Sequence, residues 1–295
     1  MGNVTAEEKK KLKGQGFLPQ RQDGYFACRV ITKNGCNTVE EMKKISEIAE
    51  KYGRGYVSYT TRLTVEIPWI EYKNIEKVKD ELKELGLYSG GTGDKIRPVT
   101  ACKGTVCVYG LVDTQALAEE IHNTFYEGWR DVSLPHKFKI GIGGCPNNCI
   151  KPDLNDFGIV GQRKIKIVED KCKACNNCGM EKACVHGAIN KKEEQKPIID
   201  IDKCVNCGKC LEACYFGATA VEKEGFKVYL GGKWGKKTRP GQAIQGIFSK
   251  EEVMNILEKS ILFYKENGNT KERFGDMIDR IGKSKIEGEL GFKLL

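Results

Sequence analysis

Cys172-Lys173-Ala174-Cys175-Asn176-Asn177-Cys178 runs on to Cys184, and Cys204-Val205-Asn206-Cys207-Gly208-Lys209-Cys210 runs on to Cys214. Thiolates at this triplet spacing, with a fourth cysteine shortly after, hold iron–sulfur clusters, and the fourth cysteine of each run ligates the cluster of the other run. The reading is therefore crossed: one 4Fe-4S cluster on Cys172, Cys175, Cys178 and Cys214, a second on Cys204, Cys207, Cys210 and Cys184. Upstream stand two further close pairs, Cys102-x4-Cys107 and Cys145-x3-Cys149, which make a third quartet. Twelve of the fourteen cysteines fall into these quartets, so the chain is expected to handle electrons.

Structural zinc also takes four thiolates, but it favours separated Cys-x2-Cys pairs over two triplets. Disulfides need an oxidising compartment, and the lysine-rich stretch from Met1 to Gly16 lacks the apolar core of a signal peptide. No apolar run reaches membrane-spanning length. A cytoplasmic protein is expected, in which the sequon Asn3-Val4-Thr5 is a chance match. Cys28 and Cys36 are left over and read as small residues of a first strand and turn.

A chain of 295 residues has room for two domains. Its formal charge of +9 would ordinarily point to a polyanion. No aromatic-and-basic pattern of a nucleic-acid module accompanies it. Cluster charge belongs in the balance: at roughly −2 for each oxidised cubane, three clusters leave about +3. The remaining basic residues suit an anionic cofactor and substrate.

The first hundred residues alternate strand and helix. Residues 25–32 read as a strand, and Thr38-x-x-Glu41 is a capping box opening a helix with Val39, Met42, Ile45, Ala49 and Tyr52 inward, closed by Gly53. Strict alternation from Val57 to Ile67 predicts one strand, with Arg62 in its middle on the polar face. A second helix places Ile75, Val78, Leu82 and Leu85 inward and stops at Gly86. In Leu134-Pro135-His136-Lys137-Phe138-Lys139-Ile140, alternation puts Lys137 and Lys139 on one face and Phe138 and Ile140 on the other. The lysines are either a wet edge protected by charge or a cationic pocket for a small oxyanion. The run into Gly143-Gly144-Cys145-Pro146-Asn147-Asn148-Cys149 favours the pocket, because it sets them a few residues from a cluster.

These segments resemble the siroheme-containing sulfite and nitrite reductase family. Thr60-Thr61-Arg62-Leu63-Thr64 is similar to its Thr-Thr-Arg-Gln-Thr strand, and Arg97-Pro98-Val99-Thr100-Ala101-Cys102 to its Arg-Asn-Val-x-Ala-Cys segment. Leu134 to Lys139 resembles Leu-Pro-Arg-Lys-Phe-Lys, and Gly144 to Cys149 resembles Gly-Cys-Pro-Asn-x-Cys. Tyr229 to Gly235 and Glu272-Arg273-Phe274-Gly275 also look familial. The nearest subgroup is the catalytic subunit of anaerobic, dissimilatory-type sulfite reductases with a ferredoxin module inside the chain. Three departures stand out: Cys102 and Cys107 are one residue closer than usual, His136 replaces a common arginine, and the run from Cys178 to Cys184 is two residues longer, with Val185 and Tyr215 in place of proline.

The resemblance implies an α+β fold with a ferredoxin-like α/β half-unit at 1–95 and a siroheme and 4Fe-4S binding domain at 96–165. An inserted bacterial-type ferredoxin domain with two clusters follows at 166–223, and the siroheme domain is completed at 224–295. It implies that Cys102, Cys107, Cys145 and Cys149 bind the cluster beside siroheme, with Cys149 shared with the haem iron. Arg62, Arg97, Lys137 and Lys139 would surround bound sulfite, and Thr61, Arg62, Arg97 and Arg29 would contact siroheme. The implied activity is reduction of sulfite to sulfide, electrons passing from a donor protein (a ferredoxin or a flavoprotein/iron–sulfur subunit) through the ferredoxin clusters. Nitrite reduction to ammonia is the alternative in the same class, and a multi-cluster electron carrier without siroheme is the alternative outside it. Longer family members hold two copies of this half-unit, which implies a homodimer or larger oligomer here. Gly141-x-Gly143-Gly144 leads into a cluster ligand and is no dinucleotide fingerprint.

Overall fold

The computed structural model describes residues 4–192 and 195–295; Asn3 of the sequon lies outside them. Thr5 opens α1 (Ala6–Gly14) with a capping box, its hydroxyl taking the Glu8 N–H while Glu8 returns to the Thr5 N–H. Then come β1 (Phe17–Pro19), β2 (Tyr25–Val30), α2 (Val39–Tyr52), β3 (Ser58–Tyr59), β4 (Val65–Glu71) and α3 (Ile75–Lys83). The strands form an antiparallel sheet in the order β1-β2-β4-β3. One core lies between this sheet and its helices, built on Phe17, Phe26, Ile45, Ile48, Ile67, Val78 and Leu82.

Helix α2 begins at the predicted capping box and ends at Gly53. Its inward face is Ile45, Ile48 and Ala49, whereas Val39, the first residue of the helix, is 74% exposed. The single strand predicted from Val57 to Ile67 is instead a hairpin, with Ser58 opposite Glu66 and Tyr59 opposite Val65. The Thr60 hydroxyl accepts the N–H groups of Arg62 and Thr64 at 3.2 Å each, and the Thr60 N–H reaches the Thr64 carbonyl. Side-chain oxygens of this kind compete with ladder pairing, and Leu63 at φ +60° closes the turn.

The second body contains β5 (Thr100–Ala101), α4 (Thr114–Ile121), β6 (Ile140–Gly143) and β7 (Phe157–Ile167). After α5 (Gly179–Ala183) and the small pair β8 (Ile189–Asn190) and β9 (Ile198–Ile199) come β10 (Thr219–Leu230), β11 (Gln242–Ala243), α6 (Lys250–Asn267), α7 (Phe274–Ile281) and α8 (Lys283–Leu290). Its sheet runs β11-β10-β7-β6-β5, with β5, β6 and β7 parallel and β10 antiparallel to β7. Strands β7 and β10 pair from Phe157 opposite Leu230 out to Ile167 opposite Thr219. The cysteine-rich segment is looped out from the tip of this ribbon, whose base is tied by Val168 N–H to the Ala218 carbonyl at 3.0 Å.

Beneath the sheet, Phe138 packs against Tyr264 of α6 and Phe274 of α7, with ring centroids 5.9 and 5.3 Å away. All three side chains are fully buried. Among the described residues no helix is long and apolar enough to cross a membrane. Replacing Phe138 with Ala should cost about 3–5 kcal/mol, read as a lower midpoint in chemical denaturation. Val39→Ala, at an exposed position, should stay within about 0.5 kcal/mol of the parent.

Candidate functional site

Four of the predicted cations meet where the hairpin of the first sheet touches the parallel strands of the second. Ile96 and Phe138 form a parallel bridge, with Arg97 N–H on the Phe138 carbonyl at 2.8 Å and Phe138 N–H on the Lys95 carbonyl at 3.1 Å. Because successive side chains alternate, burying Ile96 and Phe138 turns Arg97, Lys137 and Lys139 to the other face. Arg62 reaches across from the hairpin. Its Nη1 donates to Asn155 Oδ1 at 2.9 Å, and its Nη2 donates to the carbonyls of Pro98 at 2.6 Å and Ile140 at 3.0 Å. Arg97 donates to the carbonyls of Gly91 and Gly93.

Two charged residues that sequence reasoning had not assigned complete this cluster. Asp156 has no solvent exposure, and its Oδ2 accepts from Arg273 Nη2 at 2.6 Å and from the Lys139 N–H at 2.9 Å. Arg273 is itself 8% exposed. Its motif was visible in the sequence, but Asp156 carries no periodic or spacing signal. Burial pushes both Arg62 and Arg97 down to about 10, so they stay cationic at neutral pH. Lys139 falls to about 8 through burial first, then through Arg62, Arg273 and Lys137. Lys137 is lowered by burial and by Arg273 and Arg97. Burial raises Asp156 against the opposing pull of Arg273.

The remaining predicted contacts are placed differently. Arg29 is held by Glu66 at 2.6 Å and by the Gly91 carbonyl, and Thr61 is exposed at the hairpin tip. His136 pairs with Asp94 at 2.7 Å. A separate cleft, lined by Lys79, Tyr88, Lys95, Tyr126, Trp129 and Arg130, opens against the Gly90–Gly91 loop and takes in none of the predicted site residues.

The early cysteines converge at the opposite ends of the same strands. Gly104 and Gly144 touch so closely that a Cβ on Gly144 would stand 2.8 Å from the Gly104 Cα, which draws the two cysteine pairs together. The Gly144 N–H points at Cys102 Sγ at 3.1 Å, and the Cys145 thiol is raised by burial and by its neighbours Cys102, Cys149 and Cys107. The lysines, a few residues away in the chain, stand at the other end of β6, whose four residues span roughly 13 Å of extended chain.

In the looped-out segment, burial and the neighbours Cys204, Cys207 and Cys184 push the Cys210 thiol up to about 11. That grouping includes the crossed fourth cysteine. Cys214 and Cys184 are equivalent in setting, each Sγ accepting from the N–H four residues on, at 3.4 Å from Ala218 and 3.3 Å from Ala188. Gly179 after Cys178 lies against the Ala213 carbonyl before Cys214, as the other crossed set requires. Cys207 and Cys145 line one cleft, spanned by Lys209 over the Tyr109 ring at 5.3 Å. Among the described residues no three His, Cys, Asp or Glu side chains close on a single metal ion; a cubane holds its thiolates further apart than one ion does. The Cys145 and Cys210 thiols, which burial holds against ionisation, fit an iron core, whose positive charge inverts that preference. The donor sets fit 4Fe-4S clusters in chemistry and number.

Removing the charge of Lys139 should stabilise the fold at low pH. Its proton binds more weakly in the folded chain (about 8) than in the unfolded one (10.5), so below 8 the charged, desolvated lysine is a cost. Lys139→Met should raise the melting temperature below pH 8, and the gain should shrink through the window from 8 to 10.5. Thermal unfolding across that range checks it.

Residues 92–293 match the nitrite and sulphite reductase 4Fe-4S domain, and residues 18–85 match the nitrite/sulfite reductase ferredoxin-like half domain. A coenzyme F420-dependent sulfite reductase of Methanocaldococcus jannaschii is 35% identical over 93% of this chain, which spans only 44% of that relative. The dissimilatory-type sulfite reductase subunit alpha of Allochromatium vinosum is 24% identical over 87% of this chain and 66% of its own length. The crystal structure of dissimilatory sulfite reductase I shares the fold, with a TM-score of 0.73 at 20% identity over 92% of this chain and 70% of that one. The chain belongs to the nitrite and sulphite reductase family.

Proposed function

We propose that this chain reduces sulfite to sulfide, using siroheme and three 4Fe-4S clusters and drawing electrons from a partner protein. The observation that carries the reading is the gathering of Arg62, Arg97, Lys137, Lys139 and Arg273 into one cluster. Like charges repel, and a solvated surface would let them spread. Held together and partly buried, they suit a compact oxyanion, with planar arginine forks matching its oxygens.

Siroheme would supply an iron that binds the substrate and passes electrons to it. Cys149, the exposed member of its quartet, would reach that iron. Thr61, Arg62 and Arg97 would meet the macrocycle's carboxylates, joined by Arg29 once released from Glu66. Each oxygen leaves as water and takes protons with it. Lys139, with its pKa drawn to about 8, gives up a proton far more readily than an exposed lysine. Lys137, lowered in the same direction, is the second donor.

The cations and early thiols of one copy stand at opposite ends of β6. A site that needs both at one substrate is therefore completed by a second copy, whose cations face the first copy's Cys149. The segment 166–223 would be the ferredoxin domain, hung on the β7–β10 ribbon as the entry for electrons. Nitrite is the second candidate substrate, because the matched family description names both anions.

Purified without oxygen, the chain should show a siroheme Soret band, a chlorin-type long-wavelength band and iron for three cubanes. Full cluster iron without siroheme, even after reconstitution, would leave an electron carrier. Lys137→Met or Lys139→Met should keep both chromophores and lower turnover about 10²-fold; parent-like sulfide formation in both would remove the proton-donor assignment. A large kcat/KM advantage for nitrite over sulfite would exchange the substrate.

A further inference from the structure

We infer that Asp156 is the positioning residue of the cationic pocket, and that Arg273, which it holds, is a fifth cation facing the bound anion. This deepens the proposed reading and rests on it.

Asp156 is fixed from three segments. Its Oδ2 takes Arg273 Nη2 and the Lys139 N–H, and its carbonyl takes the Gly231 N–H at 2.8 Å. Arg273 precedes α7, whose first residue Phe274 is buried on Phe138, so the guanidinium is delivered by a packed element and not by a loose tail.

Nine buried side-chain polar atoms lack a partner among the described residues, and four of them lie here: Arg62 Nε, Arg97 Nε, Arg273 Nε and Asp156 Oδ1. Buried donors without acceptors are costly. Three on neighbouring guanidinium groups are what an incoming oxyanion would satisfy. The fourth atom, on a carboxylate, would oppose that anion. Asp156 thus competes with the ligand for the same cations.

The groups set against Lys139 are Arg62 from the hairpin, Arg273 from the start of α7, Lys137 from its own segment and Asp156 from the start of β7. Asp156 is the carboxylate among them, and Asp94 is set against Lys137 and Arg97 instead. Asp156 therefore sustains the proton on Lys139 at some expense in anion affinity. Asn can accept the same two N–H groups without the charge, which separates charge from geometry.

The test compares the holoenzyme with Asp156→Asn, using equilibrium titration with sulfite and the pH profile of kcat/KM. We expect sulfite to bind several-fold more tightly in Asp156→Asn, while the alkaline limb moves to lower pH because Lys139 deprotonates sooner. Asp156→Glu, which keeps the charge, should retain the parent limb. Arg273→Gln should weaken sulfite binding about 10-fold through loss of one charge-assisted hydrogen bond. A merely structural Asp156 would weaken binding on substitution and leave the limb in place, and that result would overturn the inference. Should Asp156→Asn not accumulate folded, unchanged sulfite affinity in a folded Arg273→Gln would overturn it equally. A parent enzyme that binds neither sulfite nor nitrite would defeat the functional reading itself, and this inference with it.

Discussion

A buried carboxylate sits at the centre of the cationic cluster. Arg62, Arg97, Arg273, Lys137 and Lys139 cannot share a desolvated corner of the fold without an opposing charge. Asp156, wholly buried, supplies it. Backbone carbonyls do the rest, through Pro98 and Ile140 at Arg62 and Gly91 and Gly93 at Arg97. Those contacts also bind the two bodies, since Arg62 extends from the first sheet onto acceptors in the second.

The parallel strands impose the other constraint. β5, β6 and β7 run in one direction, so residues just before them gather at one end and residues just after them at the other. Arg97, Lys139 and Asp156 belong to the first group, Cys102 and Cys145 to the second. The topology therefore separates the cation cluster from the thiol quartet in space, although only six positions separate Lys139 from Cys145 in the chain.

The long ribbon of β7 and β10 solves a different problem. The cysteine-rich segment is rich in turns, with its apolar burial limited to a few side chains such as Met180, Ala188 and Ile189. Pairing out to Ile167 and Thr219 holds its two ends together and leaves the sheet intact on either side. Contacts across the cleft, with Lys209 over Tyr109 and the Arg163 N–H on the Asn206 carbonyl at 2.8 Å, tie it to the body near the early quartet.

Much of this was legible in the residues. Crossed cysteine spacing, the capping box at Thr38, and the burial of Phe138 against half-exposed Lys137 and Lys139 are local signals, because metal ligation, caps and strand alternation act over a few positions. Val39 and the Val57–Ile67 strand misled for the same local reason. Alternation does not reveal where a sheet ends, nor that the Thr60 hydroxyl would bend the ladder into a hairpin. Cysteine spacing suggested the ligand sets, and the family resemblance singled out the four cations that the structure brings together. Only the tertiary structure decided that Asp156 and Arg273, 117 positions apart, form the pair beneath them, and that cations and thiols occupy opposite strand ends. Both depend on strand direction and on the return of the chain after the ribbon, which no local pattern encodes.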